Sequence, residues 1–127
     1  MMRLASLTRK PMFYPNACAD TIPLLIFAAM FSHVVIFWTK TDVPNATEQL
    51  LDGAEKYLKP CPGVLHYHCG HMASSHRDVV DQSYQVALNL VFENRAAQDA
   101  YQTHPLHVEF VEKIFKTCLV NRLYCGP

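Results

Sequence analysis

The stretch that decides the fold is residues 81–110, which read DQSYQVALNLVFENRAAQDAYQTHPLHVEF. Over 84–93 the residues alternate between an apolar series and a mixed series, which predicts a β-strand with one buried face. Asn94 follows at once and can cap a short helix. Proline suits the first turn of a helix, so Pro105 predicts a further helix over 105–115. The stretch therefore predicts one strand followed by two helical segments.

Strands and helices continue to alternate on both sides of this stretch. The further predicted elements are a strand at 31–40, a helix at 46–58, a strand at 64–74 and a closing strand at 117–124. Asn45 and Glu48 have the spacing of a capping box for the first of these helices. The order β-α-β-β-α-(α)-β is that of the ferredoxin-like arrangement. The sequence thus predicts an α+β fold in which an antiparallel four-stranded sheet carries its helices on one face.

The face of that sheet away from the helices is also predicted to be apolar. Its apolar residues are Val34, Ile36, Trp38, Ala87 and Val91. An exposed apolar sheet face indicates an interface. A second copy of the chain, related by a twofold axis, would cover it. We therefore expect a homodimer formed through these residues.

Composition limits the partners and the chemistry. The chain has 127 residues, which is the size of one domain, and its 11 basic and 11 acidic residues balance, so we expect no nucleic-acid partner. Four glycines are present, too far apart to build a phosphate cradle. Five cysteines without C-x-x-C spacing favour free thiols in a reducing compartment, and hence a cytoplasmic location.

Residues 1–29 precede the first strand and carry a basic stretch followed by an apolar run from Ile22. We interpret them as an N-terminal extension of uncertain status, ahead of a domain over 30–127. A secretory signal is the alternative, but no A-x-A-like cleavage site follows the run. Pro23 interrupts the run, which is too short to cross a bilayer, so we expect no membrane partner.

Three segments, 33–40, 61–70 and 81–110, resemble the stress-responsive A/B barrel (Dabb) family. Together they cover most of the chain after residue 30. The most specific element is Tyr-x-x-His-Pro-x-His, which begins at Tyr101. The resemblance implies a dimeric α+β barrel, in agreement with the interface inferred from the strand pattern.

For cyclase-type members, the resemblance further implies a pocket between the sheet and the helices. There a histidine acts as the base and a tyrosine hydroxyl assists an intramolecular aldol condensation. The matching residues are His107 as the base and Tyr101 as the donor. Neutral histidine and protonated tyrosine suit these roles near neutral pH. The predicted ligand-binding residues are His33, Val35, Phe37, Leu88, His104 and Phe110, of which His33, Leu88 and Phe110 match pocket positions of the family.

Three functions remain open from the sequence. The first is binding of a small, largely apolar ligand, the second is a polyketide cyclase-like lyase, and the third is a structural dimer whose pocket is filled by its own side chains. In a purely structural reading, His104 could cap the following helix and His107 could bond a strand backbone. No cofactor is expected.

A second group of histidines lies in the second predicted strand. His66 and His68 alternate onto one face, and His71 points to the other. No cysteine or carboxylate lies at a convincing ligand spacing, so we interpret this group as solvent-facing and expect no metal.

Overall fold

The computed structural model describes residues 30–125, and the side chains up to residue 120. The strands are β1 (Phe31–Thr39), β2 (His66–His71), β3 (Val86–Phe92) and β4 (Leu119–Cys125). They form one antiparallel sheet in the order β2-β3-β1-β4. The helices are α1 (Ala46–Gly53), α2 (Arg95–Thr103), α3 (Pro105–Phe110) and α4 (Lys116–Cys118), and π-helical turns continue α1 over Ala54–Leu58 and α3 over Val111–Phe115. This is the predicted ferredoxin-like α+β fold.

The core lies between the helices and one face of the sheet. The buried residues of β3 are Val86, Leu88, Leu90 and Phe92, and those of β1 are His33, Val35 and Phe37. His33 faces Leu90 and Val35 faces Leu88 across the two strands. Directly opposed residues share a face, so these side chains form one surface on which the helices pack.

The opposite side of the sheet, which we call the outer face, carries the predicted interface residues. Val34 is 38% exposed there. The others are partly buried, and they are Ile36, Trp38, Ala87 and Val91. Trp38 donates from its indole Nε1 to Ser83 Oγ at 2.9 Å. The outer face also has polar residues: Asn89 lies among the apolar ones, with its Oδ1 buried and without a hydrogen-bond partner among the described residues.

The helix predicted at 46–58 forms, but its start differs from the prediction. Asn45 has a left-handed backbone, with φ of 53°, and its side chain caps nothing. The predicted capping box with Glu48 is therefore wrong. A cap needs an extended backbone that aims the side chain at the first turn, and the left-handed conformation does not provide it. The Asn45 carbonyl instead accepts from the Gln49 backbone N–H at 2.9 Å.

Two of the strands also differ from the prediction in their bounds. β2 starts at His66 and stops at His71, which is shorter than the strand predicted at 64–74. β4 begins at Leu119, because residues 116–118 remain helical as α4. Among the described residues, no helix has the length and apolar character needed to cross a bilayer. The extension predicted at 1–29 lies outside the described part of the chain.

Candidate functional site

Three of the predicted site residues meet on the helix-facing side of the sheet. His33 comes from β1, Tyr101 from the last turn of α2 and His107 from the first turn of α3. The Tyr101 ring centroid lies 4.7 Å from that of His107 and 6.2 Å from that of His33, edge-on in both cases. We call these residues the His33–Tyr101–His107 cluster. Its central ring is Tyr101, which contacts both histidines.

The turn between α2 and α3 brings the last two members of the cluster together. His104 has an extended backbone, and its Nδ1 accepts from the Leu106 backbone N–H at 3.1 Å. Its own N–H donates to the Tyr101 carbonyl at 3.1 Å. With Pro105 in the first turn of α3, the chain reverses and returns His107 to Tyr101. His104 therefore caps α3, and this bond occupies its Nδ1.

The environment of the cluster disfavours the charged form of both histidines. Burial lowers the pKa of His33 below its usual 6.5, and the nearby His107 lowers that pKa further. Burial also lowers the pKa of His107, against a smaller upward effect of a hydrogen bond to the Gln102 backbone. That partner belongs to α2, and not to a strand as the structural reading of the sequence proposed. His107 is thus neutral near pH 7, so it can accept a proton.

Two neighbours of the cluster were missed from the sequence. Gln98 of α2 is 7% exposed, and its Nε2 lies 3.3 Å from His33 Nδ1. Phe92 of β3 packs on Tyr101 with 5.1 Å between ring centroids. One sequence signal was available: Gln98 precedes Tyr101 by three residues, which places both on one face of α2.

The other predicted ligand-binding residues belong to the core around the cluster. Val35, Leu88 and Phe110 are each at most 5% exposed. Phe37 lies farther along β1, where its ring meets that of Phe115 at 6.4 Å. These side chains close the inner side of the cluster. Of the three cluster residues, His107 is the one that is only partly buried, so the cluster is nearest to water at His107.

A separate groove of about 450 Å³ opens where the end of β1 meets the start of α1. Its lining includes the polar residues Thr39, Lys40, Asn45 and Glu48. None of its lining residues belongs to the His33–Tyr101–His107 cluster, so the groove is not the pocket that the sequence places beside the cluster.

The histidines of β2 lie as the alternation predicts. His66 and His68 pair with Val91 and Asn89 on the outer face, and both are exposed. His71 points to the other side, where its Nε2 lies 3.5 Å from a carboxylate oxygen of Glu48. Within the described residues, no three histidine, cysteine or acidic side chains lie close enough to hold a metal ion.

Three cysteines in the described part of the chain are free thiols: Cys61, Cys69 and Cys118. Burial raises the pKa of Cys69 to about 11, and it also raises the pKa of Cys61 and that of Cys118. A thiol of raised pKa keeps its proton near pH 7 and reacts slowly. These cysteines are therefore weak nucleophiles near pH 7.

The fold is that of a ferredoxin-like α+β domain, with a cluster of two histidines and a tyrosine between the sheet and the helices. The sequence profile of the stress responsive A/B barrel domain matches residues 31–124. The chain therefore belongs to the stress-responsive A/B barrel family, as the resemblance of its three segments indicated.

Known proteins similar to this chain agree with that membership. A stress-response A/B barrel domain-containing protein of Arabidopsis thaliana is 32% identical over 80 residues, which are 63% of this chain and 69% of that protein. A crystal structure of a Dabb family protein with a ferredoxin-like fold, from Mesorhizobium loti, is 26% identical with a TM-score of 0.61, covering 76% of this chain and 92% of that one.

Two more distant solved structures share the fold. A dimeric ferredoxin-like protein from Thermobifida fusca is 19% identical with a TM-score of 0.60, covering 76% of this chain and 87% of that one. The hydroxynitrile lyase of Passiflora edulis is 14% identical with a TM-score of 0.63, covering 76% of this chain and 89% of that one. At such identities the likeness extends to the fold alone.

Proposed function

We propose that the protein is a homodimer that binds a small, largely apolar ligand at the His33–Tyr101–His107 cluster. The observation that carries this proposal is the meeting of three rings from three separate elements, with centroid distances of 4.7 and 6.2 Å. Aromatic rings and neutral imidazoles set in an apolar core suit a ligand that is mostly apolar and has one or two polar atoms. The ligand enters beside His107, which is only partly buried.

The second copy in this proposal packs on the outer face, through Val34, Ile36, Trp38, Ala87 and Val91. Two observations support it. Val34 is 38% exposed on that face, and the Thermobifida fusca protein of the same fold is described as dimeric. Covering apolar surface stabilises an assembly by about 25 cal/mol for each Å² removed from water.

The proposal places this domain at 30–127, with 1–29 as an extension, in the cytoplasm. Support for the location comes from the free thiols of Cys61, Cys69 and Cys118. Such thiols persist in a reducing compartment.

A cyclase-like lyase is the second candidate, favoured by a neutral His107 in contact with Tyr101. In an aldol closure, His107 would remove a proton from the carbon next to a carbonyl, and the resulting carbanion would form the new C–C bond by attack on a second carbonyl of the same molecule. The protonated His107 would then return its proton to the alkoxide that this attack produces. The Tyr101 hydroxyl would donate to the oxygen on which negative charge develops.

The binding function is tested by NMR titration with a panel of aromatic ketones and aldehydes, with acetophenone as the first probe. We expect saturable shifts of the His33 and His107 ring signals. Tyr101→Phe should weaken binding by about three- to tenfold, the effect of one lost hydrogen bond. Tyr84→Phe, on a partly buried tyrosine outside the cluster, is the matched control and should bind like the wild type. If no member of the panel causes saturable shifts, the binding function is contradicted, and a structural dimer without a ligand is the remaining candidate.

The same probe separates binding from catalysis. In D₂O, a base at His107 would exchange the methyl protons of acetophenone for deuterium, which ¹H NMR follows directly. Exchange that is accelerated by the protein and lost in His107→Ala supports the lyase candidate. Saturable binding without exchange removes the lyase and keeps the binding function.

A further inference from the structure

We propose that Asn89 aligns the two copies of the homodimer, because its side-chain amide pairs with that of Asn89 in the second copy across the twofold axis. This inference rests on the proposed homodimer and adds the contact that fixes how the two outer faces are aligned. Asn89 is then the specificity residue of the interface, since a surface without a matching amide at this position binds more weakly.

Asn89 lies in the middle of the outer face. It is directly opposite Val34 of β1 and His68 of β2, and directly opposed residues share a face of a sheet. Ala87 and Val91, two positions before and after it on β3, point to the same side. Since apolar side chains flank Asn89 on three sides, a molecule that covers them also covers the amide.

The side-chain oxygen of Asn89 is unused in the single chain. The Oδ1 atom is buried and accepts no hydrogen bond from the described residues. The residue as a whole is only partly buried, so its side chain reaches the surface of the outer face. The last side-chain torsion angle of asparagine has broad minima, so a rotation can turn both amide atoms outward. An acceptor is therefore available where a second copy would pack.

The symmetry of a homodimer selects the residue that meets Asn89. A twofold interface uses the same patch on both copies, so the centre of the patch lies on the axis. Along β1 and β3, the apolar patch extends from the row of Val91 to the row of Trp38, and the pair of Asn89 and Val34 forms one of its middle rows. Residues beside a twofold axis meet their own copies. We therefore expect Asn89 to face Asn89 of the second copy.

An asparagine amide is complementary to a second asparagine amide. Each has N–H donors and a carbonyl acceptor, so the two side chains form two N–H···O bonds with each other. Both polar atoms of each amide are used, so the pair does not depend on which of them points inward in the single chain. His68, the polar neighbour, lies on the edge strand β2 and so farther from the axis.

Covering the outer face makes the amide a requirement on the partner. Water can bind the accessible part of the amide in the single chain, but an apolar partner would desolvate it and weaken the complex about fivefold or more. A second copy in the right alignment restores the hydrogen bonds, whereas a shifted copy does not. A single buried asparagine fixes the register of coiled coils for the same reason.

The first experiment mixes wild-type protein with Asn89→Leu, and the two are unfolded and refolded together. Leucine replaces the amide pair with an apolar pair of similar size, so each protein alone should form dimers. In the mixed dimer, one amide faces a leucine and stays unpaired. Native mass spectrometry with ¹⁵N-labelled wild type should show the mixed dimer about fivefold or more below the share that random pairing gives.

Random pairing would overturn the amide pair. If Asn89 contacted a different residue of the second copy, the two contacts in a dimer would be independent, and the mixed dimer would keep one of them. Ser32→Ala, at an exposed position of the same face, is the matched control and should mix at random with the wild type. A dimer that mixes at random contradicts this inference alone, whereas a monomeric wild type contradicts the proposed homodimer as well.

The second experiment uses wild-type protein and holds even if Asn89→Leu fails to fold. In dimers of one ¹⁵N-labelled and one unlabelled copy, isotope-filtered NOE spectra detect contacts between the copies. The side-chain amide protons of labelled Asn89 should contact the β-protons of Asn89 in the unlabelled copy. Contacts from these amide protons to other residues of the second copy, without a contact to Asn89, would overturn the proposal.

Discussion

Single residues show how the domain accommodates polar groups in its core. Two polar residues are buried among the described side chains, His33 and Gln98, and they bond to each other across 65 positions of sequence. A buried polar group without a hydrogen-bond partner destabilises the folded state by about 1–3 kcal/mol. We therefore expect that removing either His33 or Gln98 alone would destabilise the domain. The same burial keeps His33 neutral, which ties the stability of the core to pH.

We predict that the domain loses stability in mild acid through His33 and His107. Burial lowers the pKa of His33 and that of His107, so below the unfolded value of 6.5 the unfolded chain binds more protons than the folded one. The free energy of unfolding then falls as the pH drops below about 6.5 and continues to fall until the folded-state pKa values are passed. Urea unfolding followed from about pH 8 to about pH 5 measures this loss.

The control for that measurement is a histidine in the exposed loop. His33→Gln should show a smaller loss between the two pH values, whatever its stability at high pH, because one of the two histidines with a lowered pKa is gone. His76→Gln should retain the full loss, since His76 is exposed. If the free energy of unfolding depends equally on pH in the wild type and in His33→Gln, His33 does not contribute to the loss of stability in acid.

At the scale of elements, a single glycine allows two helical segments to pack closely. Gly53 ends α1 where the π-helical turn after α3 crosses it. A Cβ built on Gly53 would lie 2.7 Å from Ile114 Cγ1 and 2.9 Å from Ile114 Cγ2. Such distances are shorter than any normal carbon contact, so the close approach of the two helices depends on the missing side chain.

We predict that Gly53→Ala destabilises the domain although alanine is the better helix former. The overlap with Ile114 costs about 1–3 kcal/mol, and the gain in helix propensity returns about 1 kcal/mol. Thermal or urea unfolding should therefore show a net loss of up to about 2 kcal/mol. Asp52→Ala, at an exposed position of the same helix, should change little.

A second substitution identifies the cause. In an Ile114→Ala background, the space beside Gly53 is free, and Gly53→Ala should then be neutral or stabilising. If Gly53→Ala costs the same in both backgrounds, contact with Ile114 is not the reason for the glycine.

At the scale of the whole molecule, the sheet has two different faces. One is covered by the helices and holds the His33–Tyr101–His107 cluster. The other is the outer face, where Val34 is 38% exposed and several neighbours are apolar. If a second copy covers the outer face, as proposed, assembly and ligand binding use opposite sides of the same strands, and each can be altered without touching the other.

We predict that Val34→Asp converts the proposed dimer to a monomer that keeps its fold. The charge would be buried without a partner in the dimer, but it lies in water in the single chain. Light scattering measures the mass, and circular dichroism checks the fold. Val79→Asp is the matched control, because Val79 is 67% exposed in the loop between β2 and β3 and should leave the dimer intact.

Trp38→Asp is a less direct test of the same interface. It removes the hydrogen bond from the indole to Ser83 as well as the apolar surface, so it can unfold the chain for a reason unrelated to assembly. A Val34→Asp protein that remains a dimer would contradict the proposed use of the outer face.

Features that depend on neighbouring residues were determined by the sequence alone. Alternation over 84–93 marked the buried face of β3, and all of its predicted inward residues from Val86 to Phe92 are buried. Asn94 caps α2, and Pro105 lies in the first turn of α3. These signals act within a few residues, so they are readable before the chain is folded.

Features that depend on distant residues were decided by the tertiary structure. The absence of a cap at Asn45 is a local exception, since the capping-box spacing with Glu48 is present but the Asn45 backbone is left-handed. Gln98 contacts the His33–Tyr101–His107 cluster because α2 packs over β1, and its partner His33 lies 65 positions away in the chain. Local pattern shows which face of an element is apolar, but the partner of a buried polar group is known only when packing has chosen it.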